Sequence, residues 1–557
     1  MKNSALNIAI LFFASLFVAC QATESQEDSL KTSSAKEESP HLGQIDLSYA
    51  QCPTEAKASL EEGMLLLHSF EYDDARTAFQ AAQAISPNLF MAVWGEAMTH
   101  NHPLWRQQER DSAILIMNKL GSTPEERLAK AANEVEKDLW QALETLYGEG
   151  EKTDRDQAYA EYLKGLHQKH PDNNEVSTFY ALSLLGSVKA GRDDAIFEAG
   201  AQIAQKVMAN NPRHPGALHY LIHAYDDPYN APKAILAANN YSKVAPDAAH
   251  ALHMPSHIYV AMGMWEEVVK SNINSYQASV DRMERLNLGI KARSYHALHW
   301  LMYGYLQQNR FDEAKQQMHD MIYFSEKEQS VRAKAYLLSM KANYLVETNQ
   351  WDSEIAEANC EREDLNISKK GLHYFIEGMK AHHNDNQEEL KAIIQTLEEE
   401  RQAVTKLINE EGLARCSASS GPYSKAANKV DINQAHVMEM ELRALYAEQK
   451  GDLEEAEKWH QEAMDLELNT SYAYGPPAIA KPSFELYAEF LNRNERYADA
   501  LQAYEQALKR GPNRLAALKG QLQAAKGLKD QEKTDAIQKI IDEITQTKKQ
   551  LSSLNTQ

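Results

Sequence analysis

One internal spacing governs what this 557-residue chain can fold into. Gly63, Ala75, Phe79, Ala82 and Pro87 in one stretch, and Ala488, Ala500, Tyr504, Ala507 and Pro512 in another, stand at the same separations from one another. The small residues let two helices approach closely, the large one fills the seam between them, and the proline ends the second helix. The underlying period is 34 residues. It shows directly in Pro212 and Pro246, in His68 and His102, and in two histidine pairs, His219/His223 and His253/His257, displaced member for member by 34. A fixed period of this length predicts a stacked array of helical hairpins, each burying its apolar face on its neighbours.

Weaker units begin at Pro215, Ala249, Tyr295 and Val437, carried by Ala234 and Pro246, Tyr259 and Gly263, Tyr305 and Ala314, and Ala456 and Ala463. Between about 106 and 172 the amphipathic spacing persists, as in Leu128, Ala132, Val135, Leu139 and Leu143, but the small-residue positions are poorly kept. The pattern is that of the tetratricopeptide (TPR) unit, and the expected fold is an all-α, TPR-like helical-hairpin solenoid. More specifically, His214-Pro215-Gly216-Ala217-Leu218-His219-Tyr220-Leu221-Ile222-His223-Ala224-Tyr225-Asp226-Asp227-Pro228 and His250-Ala251-Leu252-His253-Met254-Pro255-Ser256-His257-Ile258-Tyr259 resemble segments of a family of bacterial TPR proteins without an assigned activity. Leu67-His68-Ser69-Phe70, Trp94-Gly95-Glu96-Ala97-Met98 and the Gly475-Pro476-Pro477 loop with Lys481-Pro482 extend the resemblance over most of the chain. It implies the fold and supplies no catalytic residues.

The expected organisation is a signal peptide over 1–19, a lipidated, disordered tether over 20–45, and a TPR solenoid over 46–320. Irregular hairpins follow over 321–430, then C-terminal repeats and a cap over 431–540, and a tail over 541–557. The first of these rests on Lys2 and the apolar run Ala5 to Ala19, too short to span a bilayer. It ends Leu16-Phe17-Val18-Ala19-Cys20, which resembles a bacterial lipobox, with an ordinary cleaved signal as the alternative. Lipidation at Cys20 followed by Gln21 predicts an outer-membrane lipoprotein of a Gram-negative envelope, facing the periplasm and touching the membrane through its lipid alone. Three further cysteines, Cys52, Cys360 and Cys416, cannot all pair internally, and Cys360–Cys416 is the more plausible bridge. A formal charge of −22 with no basic stripe excludes nucleic acid as a partner.

Histidine is where chemistry concentrates. On helices four residues make one turn, so His219 with His223 and His253 with His257 each share a face. In the repeat register these positions, with His250, His296 and His299, line a concave groove, to which His68, His102, Tyr220 and Tyr303 are also expected to contribute. Two imidazoles from each of two neighbouring helices would suffice for one ion, with Asp226 and Asp227 completing the site or orienting a ligand. Neutral imidazole suits zinc, copper, nickel or iron alike. The alternative is aromatic packing with no ion. Pro255, between His253 and His257, predicts either a helix start near Met254 or a kink. No His-Glu-x-x-His, Gly-x-Ser-x-Gly, phosphate loop or dinucleotide fingerprint is present. The function expected is an envelope binding module for a protein or peptide partner, with a histidine groove for a transition metal or metal-bearing ligand. The alternatives are a metal-dependent enzyme and a polypeptide scaffold without metal.

Overall fold

Glycine and alanine at the repeat positions do what their spacing requires in the computed structural model, which describes residues 41–409, 412 and 426–545. Helices Thr54–His68 and Tyr72–Ile85 form the first hairpin, with Ala75, Phe79 and Ala82 fully buried between them. A side chain at Gly63 or Gly95 would lie 2.7 or 2.3 Å from the Phe79 ring, so only glycine lets three helices close on it. The unit Ser483–Arg493 and Tyr497–Arg510 repeats the arrangement around Tyr504. Helices beginning at Pro215, Ala249 and Tyr295 start where the register places them. The chain is an all-α solenoid of TPR-like hairpins; among the described residues two strands, Asn101–His102 and Gln107–Gln108, make one short ribbon.

One turn recurs through the array. At Phe70, Gly263, Asn309, Asp385, Gly451, Glu495 and Lys529 the backbone enters the left-handed region. The next amide then donates to the carbonyl five residues back, as from Glu71 to Leu66, Met264 to Tyr259 and Arg310 to Tyr305. This satisfies the orphan carbonyls of the first helix while reversing the chain. Glycine and asparagine adopt that conformation cheaply; Phe70 does not.

Simple repeat arrays contact only their neighbours in sequence, but this one also folds back on itself. Trp265 Nε1 donates to the Asn513 carbonyl at 2.8 Å, and the Leu515 amide donates to Gln307 Oε1 at 2.9 Å. Arg514 forms buried ion pairs with Glu347 and Glu485. Ser471 accepts from the Arg192 amide, carrying the segment before the last repeat onto the middle of the chain.

The solenoid extends further at both ends than expected. Leu42 is 2% exposed, and the Gln44 amide donates to the Arg213 carbonyl, so residues 41–45 dock on the solenoid and do not belong to a tether. At the other end the helix Gln531–Thr545 runs into the expected tail, because Ile541 is buried. The expected boundary at 320 falls inside the helix Phe311–Glu328. The signal segment, Cys20 and Cys416 lie outside the described residues, as does any Cys360–Cys416 bridge; Cys360 itself is buried with its thiol near the Lys334 carbonyl. Among the described residues no helix is long and apolar enough to cross a membrane.

Candidate metal centre

Three helical segments bring the histidines together: Pro215–Ala224, the pair Ala249–His253 and Pro255–Ala261, and Tyr295–Gln307. The first begins with Pro215 behind the cap His214, whose Nδ1 accepts from the Ala217 amide. The third is capped by Ser294. Between them, Pro255 removes one rung of the helical ladder at Met254, yet Met254 keeps helical angles. The Met254 amide donates to His250 and the His257 amide to Met254, so the axis breaks without leaving the helical path. His250 and His253 are therefore helical, two turns and one turn before His257, and not on an incoming loop.

The expected four-imidazole convergence divides into two sets of three. His219, His223 and His250 place one ligand atom each within 4.8 Å of one another, and His253, His257 and His296 do the same. His250 and His296, secondary candidates from sequence, thus complete the two sets. The sets adjoin: the His223 and His257 rings lie 5.4 Å apart, and Asp226, bonded to His257 Nδ1, also groups with His223. His299 and Asp227 stand aside. His299 is committed to Asn343 Oδ1 at 2.7 Å, and Asp227 pairs with Arg192 at 3.0 Å.

The hydrogen bonds fix which nitrogen faces inward. His219 Nδ1 lies 2.7 Å from the His68 carbonyl, which can only accept. His253 Nδ1 lies 2.7 Å from Asn272 Oδ1, and that amide's orientation is set by its own nitrogen donating to the Val268 carbonyl. His257 Nδ1 donates to the Asp226 carboxylate. All three imidazoles spend their Nδ1 proton outward and turn Nε2 inward. Two of those inward nitrogens confront each other: His253 Nε2 and His257 Nε2 are 3.1 Å apart. His219 Nε2 and His250 Nε2 are 3.2 Å apart. Ligands on one ion at roughly 2.0–2.1 Å stand roughly 2.9–3.4 Å from each other between right-angled and tetrahedral geometry, so both separations suit a shared cation. His223 Nε2 and Asp226 Oδ1 are buried with no hydrogen-bond partner, which is costly without an ion or water to satisfy them.

Burial, and then repulsion from neighbouring imidazoles, holds His219, His223, His250, His253 and His296 well below the usual histidine value. These five are neutral at pH 7, the form that binds metal. Phe70, in its strained left-handed turn, lays its ring 4.2 Å from that of His219. Strain at such a position is kept where the surroundings over-determine it.

The histidines do not line an open groove. His219 is fully buried, and His223, His250, His257, His296 and His299 face a cavity of about 440 Å³. Its other side is built by Tyr472, Ala473, Tyr474 and the Pro476–Pro477 segment, so the proline loop closes over the histidines. Gly475 sits at φ +79°, and any side chain there would come within 2.1 Å of the Trp300 ring. Asn343 Nδ2 holds the loop through the Pro477 carbonyl at 3.3 Å.

The expected groove residues His68, His102, Tyr220 and Tyr303 lie outside this cavity, because each is captured elsewhere. His68 Nε2 donates to Glu175 at 2.7 Å while its Nδ1 accepts from the Tyr220 hydroxyl at 3.0 Å. His214 Nε2 donates to the other Glu175 oxygen at 3.0 Å. Burial opposes ionisation of Glu175, but these two imidazoles outweigh it and pull its carboxyl down to about 2. This trio also has metal-like spacing, yet every one of its ring nitrogens already has a hydrogen-bond partner, so it is a packing device. His102 stacks on Tyr72, and the Tyr303 hydroxyl meets Arg514 in the buried ion cluster. Sequence reasoning missed Glu175, the role of His214, and the cavity residues Trp105, Arg106, Lys369 and Tyr474, whose contacts join distant parts of the chain.

No protein family and no curated protein matches the chain. Among solved structures, yeast Tom70 is similar at 10% identity and a TM-score of 0.29, over 86% of this chain and 89% of that one. The Cut9–Hcn1 hetero-tetramer of APC/C follows at 11% and 0.31, over 88% and 74%. The Rap protein complexed with competence and sporulation factor follows at 13% and 0.33, over 75% and 99%. Similarity at this level says nothing of function, and the solenoid assignment rests on the chain's own hairpins.

Proposed function

We propose that the protein is a transition-metal binder whose polyhistidine centre holds two ions, one among His219, His223 and His250 and one among His253, His257 and His296. The observation that carries this is the confrontation of the His253 and His257 Nε2 atoms at 3.1 Å, with both Nδ1 protons committed elsewhere. Two nitrogens facing each other in a buried site need positive charge between them, and a metal ion or a shared proton can supply it. Asp226 supplies a carboxylate between the sets, as two-metal sites with ions roughly 3.5–4 Å apart use. Zinc, copper, nickel and iron all suit the ligand type.

Three protein ligands leave a coordination position open on each ion, and the adjoining cavity favours the second reading, a metal-dependent enzyme. A polypeptide partner would engage a face of the solenoid other than the histidine segment, which the proline loop covers. Lipidation at Cys20 and an envelope location belong to the same proposal; fatty-acid labelling lost in Cys20→Ala supports them, and equal labelling of both forms removes them.

The test is a thermal melt of chelator-treated protein with each metal added back. A bound metal should stabilise the fold by about 2.7 kcal/mol at a hundredfold excess over its Kd. His223→Gln combined with His257→Gln should abolish that response and leave the helical content intact. No response of the wild type to any of the four metals sinks the proposal.

A further inference from the structure

A chain of net charge −22 encloses a cavity whose lining carries two cations, Arg106 and Lys369, and a single acid, Asp431. That inversion needs a cause. Burying a cation without an anion is costly, and natural interiors pair such groups. Here Lys369 Nζ donates only to the Ser339 hydroxyl at 2.6 Å, and Arg106 donates to the Gly191 carbonyl at 3.2 Å. Neither bond neutralises a charge. Asp431 acts on both cations, but one carboxylate, whose oxygens also accept from the Asn428 amide and from Asn366 Nδ2, leaves the lining with a net positive charge. Burial pushes the Lys369 ammonium down to about 8, against the pull of Asp431, which leaves it charged at pH 7.

Much of the remaining wall is aromatic. Trp105 comes from the 3-10 turn Pro103–Trp105 that joins the two short strands, Trp300 and Tyr336 from the helices Tyr295–Gln307 and Val331–Thr348, and Tyr474 from the proline loop. A cavity of about 440 Å³ lies within the range of small-molecule sites. Flat aromatic walls favour a planar body by stacking, and metal ions at the histidines would add further positive charge.

We infer that this cavity is a binding site for a small aromatic carboxylate, its anionic group held by Lys369 and Arg106 and its ring packed among Trp105, Trp300, Tyr336 and Tyr474. The ligand then shares its chamber with the open positions of the metal centre. The inference extends the metal reading, but the two cations act whether or not the ions are present.

The experiment is calorimetric titration of the full chain with benzoate and with its neutral counterpart, benzyl alcohol, in metal-loaded and chelator-stripped forms. Benzoate should bind at least tenfold tighter than the alcohol in both forms. Lys369→Met and Arg106→Met should each weaken benzoate at least tenfold while metal content, melting temperature and alcohol binding hold, and Lys369→Arg should restore it. Equal affinity for the two probes, or no binding of either, overturns the inference. So does benzoate binding that ignores Lys369→Met and vanishes on metal removal, since the ions alone would then hold the anion. Lysine-dependent benzoate binding in a protein that takes up no metal keeps this inference and removes the metal reading.

Discussion

Acid should unfold the metal-stripped protein through its histidine centre. Burial, then mutual repulsion, keeps His219, His223, His250, His253 and His296 below their ordinary value, so the folded state leaves them neutral where the unfolded chain protonates them. With folded values depressed, the unfolded chain binds more protons below pH 6.5, and stability falls as pH falls through that point. At pH 5.5, one unit below the unfolded value, each fully neutral histidine costs about 1.4 kcal/mol. Five set an upper bound of about 7 kcal/mol, against a total stability of about 5–15 kcal/mol for a typical domain. Even half of that bound is a large share. The assay is urea unfolding at pH 7.5 and 5.5 of the wild type and of a variant carrying His250→Gln and His296→Gln. Removing two of the five should shrink the acid penalty by up to about 3 kcal/mol, and groups common to both proteins cancel. An identical pH dependence in the two would refute the reasoning.

Gly475→Ala forces a methyl group into the Trp300 ring at a left-handed position. It should cost about 2 kcal/mol or more and lift the loop, read as faster hydrogen exchange over residues 472–478. Arg514→Leu leaves Glu347 buried without its cation, and Glu485 with Lys481 alone, and should lower stability by about 3–5 kcal/mol in denaturant titration. Glu175→Gln disrupts the buried trio with His68 and His214 and should lower the melting temperature without changing metal content, since its carboxylate belongs to neither three-histidine set.

The hairpins were legible in the sequence because packing of two helices around Phe79 or Tyr504 demands small residues at fixed steps, and that demand is local. The paired spacing of His219/His223 and His253/His257 was legible for the same reason. Their partition was not: His250 and His296 complete the sets because the break at Pro255 and the cap at Ser294 set their rotation, which no single spacing records. His68 was read into the groove from its period alone, and Glu175, 107 residues away, holds it in the core. The prolines announced a rigid loop at 475–477, but its destination over Trp300 depends on the solenoid folding back across more than 170 residues. Arg106 and Lys369 carry no motif; only the closed cavity makes them neighbours.

The most direct test of the central claim is to count and locate the metal: native mass spectrometry of the purified protein, with anomalous diffraction at the edge of the element found. The account predicts two ions per chain, one among His219, His223 and His250 and the other among His253, His257 and His296. A chain that carries no ion after exposure to zinc, copper, nickel and iron, or carries one only at His68, Glu175 and His214, would contradict it.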